Sequence, residues 1–388
     1  MALTDGAPGR SGWRSARNIL AVRLDGLGDV LMTSPAIRAL RGDGERRVAL
    51  LASSAGAAAA RLIPEIDDVI EYDAPWIKSS VARQDHARDR AMVERLRASG
   101  FDAAVVFTVY SQSALPAATV CALADIPLRL AHSRENVYGV LTDRVAETEP
   151  ETITRHEVRR QLDLVATAGF SSSDERMSLR VPEEAEARAA ELLDSVGVGS
   201  GTWVVVHPGA TASSRRYPWQ RFRDAADGLA AEGIDVLFTG SPDDLFLVES
   251  IRRGMRAPSR SLAGKLGLPE LAAVLRRAHV LIGNNSGPAH VAAAVGTPVV
   301  DLYALTNPQH TPWGVPNRVL NVDVPCRNCY RSVCPEGHHN CLALVPPSSV
   351  VRAAIELLEL RPPERRSPAA GGPPLLLVPP AARSGRRG

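Results

Sequence analysis

A glycine-containing loop near the N-terminus carries the carboxylate that is best placed for acid–base chemistry. Residues 23–35 read RLDGLGDVLMTSP, where an apolar strand pattern gives way to a helical one. Glycines such as Gly28 let a backbone turn sharply beside a ligand, and the next residue is Asp29. A carboxylate at the end of a strand can remove the proton of a hydroxyl nucleophile during its attack. The alternative is that Asp29 caps the helix, and one side chain can do both.

A second loop of the same kind carries basic side chains that suit a diphosphate. It begins at His207 with the sequence HPGAT, and it continues through Arg215 and Arg216 to a Tyr-Pro-Trp segment. Arginine guanidinium groups bind phosphate oxygens through paired donors. The pattern therefore predicts phosphate binding by Thr211, Arg215 and Arg216. The alternative is a solvated basic loop, because arginine is common on protein surfaces.

The third stretch is a polar turn that opens a helix rich in alanine. Residues 283–298 read GNNSGPAHVAAAVGTP, directly after an apolar strand pattern. Free backbone N–H groups at the start of a helix favour bound anions. The turn therefore predicts phosphate binding by Ser286 and by the backbone N–H groups at the start of this helix. His290 either contacts the phosphate or is a satisfied structural histidine.

Short apolar runs alternate with helical patterns along the chain, and they fall into two sets. Buried strands separated by helices are typical of parallel sheets built from βαβ units. The first set predicts strands at Asn18–Leu24, Arg47–Ala52, Asp68–Tyr72 and Ala103–Val109, with helices near Thr33–Leu40, Ala55–Leu62 and Gln84–Ser99. The second set predicts strands at Trp203–His207, Ile234–Thr239, His279–Gly283 and Pro298–Tyr303, with helices near Trp219–Ala231, Asp243–Arg253, Pro269–Arg277 and Pro288–Val295.

These patterns predict an α/β fold with two doubly wound, Rossmann-like domains. We expect an N-terminal domain at 18–172, a C-terminal domain at 173–346 and a final helix at 347–361, which could pack back across the first domain. Residues 1–17 and 362–388 are expected to be disordered tails, because their composition buries too little apolar surface to offset chain entropy. Ligands of doubly wound sheets lie beyond the carboxyl ends of the strands. The predicted site is therefore a cleft between the two domains.

Together the three loops resemble glycosyltransferase family 9, the family of the lipopolysaccharide heptosyltransferases. The resemblance runs in order from about Asn18 to Leu358. The matching patterns are G-D-V-L-x-T-x-P from Gly28, H-P-G from His207, a basic-aromatic-Pro loop ending at Pro218, and S-G-P-x-H-x-A-A-A-x-G-x-P from Ser286. The resemblance implies a GT-B architecture with two domains facing a central cleft. It also implies inverting sugar transfer with no required metal or other cofactor beyond the nucleoside diphosphate sugar that is the donor.

The positions of the motifs imply a role for each matched residue. Asp29 corresponds to the proposed general base of the family, and Gly28 lies beside it in the donor-facing loop. Arg215 corresponds to the phosphate-binding basic residue, which is usually lysine. Ser286 and Gly287 correspond to the turn that holds the donor diphosphate, with His290 directly behind it.

Two positions depart from the family pattern. Asn285 stands where heptosyltransferases usually carry an aspartate that touches the donor sugar. An amide donates as well as accepts hydrogen bonds, so the choice of sugar can differ. Arginine replaces lysine at position 215, which keeps the charge and changes the geometry.

The bulk composition excludes several classes of protein. The chain has 388 residues with a formal net charge of +2, so nothing indicates a protein that coats nucleic acid. It has no apolar run of about 18 residues, which a membrane span requires. The N-terminal segment lacks the apolar core of a signal peptide. These features predict a cytoplasmic protein with at most peripheral membrane contact.

Four of the five cysteines are crowded into one short segment. Such crowding is unlike the distributed disulfide framework of a secreted protein. One C-x-x-C pair suits zinc, whereas the second pair is spaced too widely for a common zinc ribbon. A structural metal and buried thiols are the two alternatives, and no metal is predicted at the catalytic site. The residues are Cys326, Cys329, Cys334 and Cys341, with His338 and His339 between them.

The sequence therefore predicts a glycosyltransferase that moves a sugar to a hydroxyl of a cell-surface glycan or lipopolysaccharide-type acceptor. The donor is a nucleoside diphosphate sugar, with heptose as one candidate sugar. Its partners are this donor and a glycan or glycolipid acceptor, without nucleic acid. Two alternatives stay open. One is a nucleotide-sugar epimerase on the same two-domain plan, and the other is a non-catalytic module that binds nucleotide sugars.

Overall fold

The computed structural model describes residues 9–77, 86–198 and 201–360 of the chain. These residues form two compact units, with the change from the first to the second between Glu175 and Arg176. The short stretch 62–64 belongs to the second unit. No helix within the described ranges is long and apolar enough to cross a membrane.

The first unit is built on a sheet of six parallel strands. The strands are β1 Asn18–Arg23, β2 Arg47–Ala52, β3 Asp68–Glu71, β4 Ala103–Val106, β5 Leu128–Ser133 and β6 Asp143–Ala146. The helices are α1 Gly9–Ser15, α2 Leu27–Arg41, α3 Ser54–Ala60, α4 His86–Ala98, α5 Leu115–Leu123 and α6 Glu157–Thr167. The strand order is β3-β2-β1-β4-β5-β6.

The second unit repeats this plan. Its strands are β7 Trp203–His207, β8 Asp235–Phe238, β9 Arg260–Ser261, β10 Val280–Asn284, β11 Val299–Leu302 and β12 Asn317–Leu320. Its helices are α7 Glu183–Ser195, α8 Trp219–Ala231, α9 Leu245–Gly254, α10 Leu268–Arg277, α11 Gly287–Ala294, α12 Asn340–Ala343 and α13 Pro347–Glu359. Short 3₁₀ turns occupy Ser213–Arg215 and Pro242–Asp244. The strand order is β12-β11-β10-β7-β8-β9, so the predicted pair of doubly wound sheets is confirmed.

The central strands are apolar throughout because helices cover both faces of a parallel sheet. In β1, Ile19 to Val22 are all buried, and β1 lies between β2 and β4 with Ile19 opposite Val48 and Ala103. The chain leaves the sheet in opposite directions after β1 and β4, and again after β7 and β10. Loops diverge at such a switch point, which leaves room for a ligand at the carboxyl ends of the strands.

The structure departs from the predicted ends of the chain. Residues 1–8 and 361–388 lie outside the described residues, but residues 9–15 form α1, where a disordered tail was expected. Trp13 on this helix is 1% exposed, and its indole N–H donates to Asp143 at 3.0 Å. Burial of this ring and its hydrogen bond offset the conformational entropy that the segment loses when it is ordered.

The final helix also packs differently from the expectation. Helix α13 belongs to the second unit, where Val350, Ala353 and Leu357 join the apolar core with Phe222 of α8. Amphipathic spacing showed that the helix has an apolar face, but it could not show which core that face covers. The suggested packing across the first domain is therefore wrong.

Candidate active site

One buried arginine organises the switch point of the first unit. The side chain of Arg23, at the end of β1, is fully buried and faces three carboxylates. Its guanidinium nitrogens lie 3.0 Å from Asp25, 3.1 Å from Asp29 and 2.7 Å from Glu157. A buried charge needs such partners to offset its desolvation. With all three carboxylates ionised, the cluster carries an excess of negative charge.

Asp29 is the third residue of α2, and each oxygen of its carboxylate accepts a hydrogen bond. One oxygen accepts the backbone N–H of Gly26 at 3.2 Å, which satisfies a free donor at the helix start. The other oxygen accepts from Arg23 at 3.1 Å. The side chain is nonetheless 23% exposed, so a ligand can reach it. Gly28, in the same first turn, is half-buried.

Arg23 and Glu157 are the site residues that the sequence did not reveal. Glu157 begins α6 and is fully buried, and it also accepts a hydrogen bond from Gln161. Its distance of 134 residues from Arg23 along the chain gave no local signal that the two meet.

Asp25 differs from Asp29 in its environment. Burial raises the pKa of Asp25 above its ordinary value, although the Arg23 guanidinium opposes that shift.

In the second unit, one buried amide connects the two stretches that the sequence singled out. The side chain of Asn284, at the end of β10, donates to the Pro208 carbonyl at 2.7 Å. The same side chain accepts the backbone N–H of Tyr217 at 2.9 Å. Because Asn284 is buried, neither bond competes with water. Asn284 therefore fixes the loop after β7 and the Arg-Tyr-Pro loop against the start of α11, and the sequence analysis missed this role.

Close packing requires a glycine at the third position of the H-P-G segment. A Cβ atom on Gly209 would lie 2.3 Å from an oxygen of Asp244. That carboxylate accepts the backbone N–H of Ser241 at 2.9 Å and its hydroxyl at 2.6 Å, so it is not free to move. Nearby, burial lowers the pKa of His207 to about 4, and the ring lies 3.0 Å from the Thr239 hydroxyl. The imidazole is therefore neutral at pH 7 and holds the loop without adding charge.

The two arginines of the phosphate loop differ in their exposure. Arg215 closes the 3₁₀ turn and is half-buried, whereas Arg216 is exposed and its Nε donates to the Ala210 carbonyl at 2.7 Å. Thr211, in the same loop, is exposed. The turn is held from behind by the segment before Cys334, because the N–H of Ser214 donates to the carbonyl of Ser332 at 3.1 Å.

Helix α11 begins where the sequence placed a phosphate turn. No side chain caps its N-terminus, and the half-buried Ser286 donates to the Asn284 carbonyl at 3.2 Å. His290 and Asn285 are both buried. In this segment the turn Ser286–Gly287 is therefore the accessible part, whereas Asn285 and His290 are buried. Tyr303 is a buried core residue.

Asp301 is a further buried acid that sequence reasoning missed. It lies on β11, opposite Gly283 of β10, and its side chain is 0% exposed. Within the described residues, neither of its carboxylate oxygens has a hydrogen-bond partner. Burial raises the pKa of Asp301 well above its ordinary value, and the Arg215 charge opposes this. The sequence signal that could have found Asp301 is an acid within the apolar run VVDLY.

The crowded cysteines form no disulfide in the structure. All four thiols, at Cys326, Cys329, Cys334 and Cys341, are free and half-buried. Burial raises the pKa of the Cys341 thiol, and the other three cysteines add to the shift. In the ranges that the structure describes, no group of three or more histidine, cysteine or acidic side chains is arranged to hold a metal ion.

Comparisons with known proteins agree with the geometry. The family model described as glycosyltransferase family 9 (heptosyltransferase) matches residues 90–340. A curated relative, lipopolysaccharide heptosyltransferase 3 of Escherichia coli, is 35% identical over 153 residues. That match covers 39% of this chain and 45% of the relative, so it spans less than half of the relative's length.

Two solved structures share the architecture of the whole described chain. A family 9 glycosyltransferase from Veillonella parvula has a TM-score of 0.74 at 24% identity, covering 88% of this chain and 97% of the other. The E. coli ADP-heptose LPS heptosyltransferase II has a TM-score of 0.68 at 23% identity, covering 88% and 98%. At these identities the likeness establishes the GT-B fold.

Proposed function

Because the chain belongs to glycosyltransferase family 9, we propose that it transfers heptose from ADP-heptose to a hydroxyl of a lipopolysaccharide-type acceptor. The observation that carries the proposal is Asp29, an accessible carboxylate held by Arg23 and by the backbone of its own helix. In this proposal the enzyme is cytoplasmic. It meets a membrane-associated glycolipid acceptor through peripheral contact.

The second unit supplies what a departing diphosphate needs. Arg215 brings a positive charge to the loop after β7, and α11 directs its uncapped N-terminus toward the same switch point. Charge develops on the leaving oxygen during sugar transfer, and donors that are already in place stabilise it most. In this proposal Arg215, Ser286 and Gly287 hold the diphosphate, and no metal ion is invoked. Arg216 and Thr211 lie at the exposed edge of the same loop.

The first unit supplies the base. An acceptor hydroxyl is a poor nucleophile until its proton leaves, and a carboxylate takes that proton as the new bond to the anomeric carbon acidifies the hydroxyl. Arg23 fixes one oxygen of Asp29 and Gly26 N–H fixes the other, so the carboxylate keeps one orientation without substrate. Attack from the side opposite the diphosphate inverts the anomeric configuration. The oxygen of the acceptor ends bonded to the sugar, and ADP leaves.

Turnover with defined substrates tests this assignment. Purified protein is incubated with ADP-heptose, with and without a heptose-deficient lipopolysaccharide core, and ADP release and the product's anomeric configuration are measured. We expect ADP release that depends on acceptor, and inversion at the anomeric carbon in the product. Isomerised ADP-heptose without acceptor would instead show an epimerase. Tight ADP binding without any turnover would show a binding module.

A further inference from the structure

The first unit contains a cavity at its switch point that no part of the proposed chemistry has yet used. The cavity has a volume of about 260 Å³ and lies where β1 and β4 end. Doubly wound sheets bind their ligands at this point because the loops after the two strands diverge. The described residues that line it include Asp25, Trp76, Phe107, Thr108, Gln112 and Ser113.

The walls of the cavity combine an aromatic side and a polar side. Trp76 is 36% exposed and meets the Tyr72 ring edge-on, with ring centroids 5.8 Å apart. On the polar side, the Gln112 amide donates to an Asp25 oxygen at 2.7 Å. This amide–carboxylate pair offers a donor and an acceptor together, which suits adjacent hydroxyl groups. These two walls match a sugar ring, which has an apolar face and hydroxyl groups along its edge.

Arg23 connects this cavity to the proposed base. Its guanidinium lies 3.0 Å from Asp25, which lines the cavity, and 3.1 Å from Asp29. A ligand that bonds to Asp25 is therefore close to the Asp29 carboxylate. The volume is just below the range of about 300–1,000 Å³ for small-molecule pockets, which fits one sugar ring rather than a longer oligosaccharide.

We propose that this cavity is an acceptor subsite for a single neutral sugar ring that lacks phosphate and carboxylate groups. This inference rests on the proposed function, because it names the acceptor that the transferase accepts. Asp25 and Gln112 bind hydroxyl groups of the ring, and Trp76 covers its apolar face.

The negative charge in the cavity lining favours a ligand that is itself uncharged. Asp25 is the one charged side chain among the described residues that line the cavity. The nearby positive charge of Arg23 is already shared among Asp25, Asp29 and Glu157. An anionic substituent in the cavity would meet a cluster in which one guanidinium faces three carboxylates, and like charges at close range oppose binding. A neutral polyhydroxyl ring meets no such cost.

Binding of two matched probes tests the inference without requiring turnover. Methyl α-heptopyranoside and its 4-phosphate are titrated calorimetrically into the full-length protein, and ADP is titrated separately as a measure of the donor site. We expect the neutral probe to bind at least about tenfold more tightly than the phosphate, which is about 1.4 kcal/mol. Tighter binding of the phosphate, or no binding of either probe, would overturn the subsite.

Variants then locate the binding. Trp76→Ala should weaken the neutral probe about tenfold and leave ADP affinity unchanged, and Asp25→Asn should reduce the discrimination against the phosphate. The matched control is Leu123→Ala, an exposed apolar residue on α5 of the same unit. Thermal unfolding checks that each variant is folded. Unchanged probe binding in folded Trp76→Ala would contradict the subsite. If the wild-type protein did not bind ADP, the donor assignment would be contradicted instead.

Discussion

Replacing Asn284 by alanine tests whether one buried amide holds two loops of the second unit in place. The change removes the 2.7 Å bond to the Pro208 carbonyl and the 2.9 Å bond from the Tyr217 N–H. Each buried group left unpaired costs about 1–3 kcal/mol. Allowing for partial relaxation, we expect the free energy of unfolding to fall by about 2–4 kcal/mol. One kcal/mol shifts Tm by about 2–4 °C in a domain of this size, so Tm should fall by about 5–15 °C.

The same variant should bind ADP more weakly, because the loop that carries Arg215 loses its anchor at Tyr217. Differential scanning calorimetry gives the change in Tm, and isothermal titration gives the affinity for ADP in the range where the variant is folded. The control is Asn321→Ala, since Asn321 is exposed in the same unit. If both variants melted like the parent, the two hydrogen bonds would contribute nothing measurable, and the anchoring role of Asn284 would be wrong.

Three further changes test neighbouring parts of the site. Arg215→Ala should weaken ADP binding tenfold to a hundredfold, as expected for the loss of about 1.5–3 kcal/mol, and leave adenosine unaffected; equal weakening of adenosine in the same titration would remove the phosphate role. Asp301→Asn should raise Tm at pH 8 and change it little at pH 4, because an acid whose folded pKa is raised contributes stability at low pH that is lost as pH rises through that pKa; parallel Tm–pH curves for the two proteins would contradict this. Gly209→Ala should lower stability by about 1–3 kcal/mol through overpacking against Asp244, whereas Gly201→Ala, with nothing within 4 Å, should be neutral in the same denaturant titration.

Much of the fold could be predicted because its signals are local. The strand from Trp203 to His207 and the helix from Trp219 to Ala231 have the predicted bounds, since an apolar run and a helical periodicity each lie within one short window. Helix α2 begins at Leu27, several residues before its apolar spacing is apparent, because the glycine-rich turn already forms its first turn. Strand β6, with the sequence DRVA, was missed because an edge strand keeps polar residues.

The parts that could not be predicted depend on contacts between distant segments. Arg23 looked like an ordinary end of a strand, and only the fold brings Glu157 to it. Asn284 was visible in the motif, but its two partners lie 67 and 76 residues away. The predicted roles of Arg215, Ser286 and His290 toward the donor stay predictions.

The rate of transfer by Asp29→Asn tests the central claim most directly. The amide keeps the size of the side chain and can still accept the Gly26 N–H. It loses the bond from Arg23, but that guanidinium keeps Asp25 and Glu157 as partners, so the fold and the affinity for ADP should be retained. Acceptor-dependent ADP release from ADP-heptose should fall by about 10²–10⁴, the contribution of a positioned base. Asp25→Asn should lower kcat much less, because that carboxylate binds the acceptor in our account. Normal turnover by folded Asp29→Asn would contradict the account, and the base would have to be another residue.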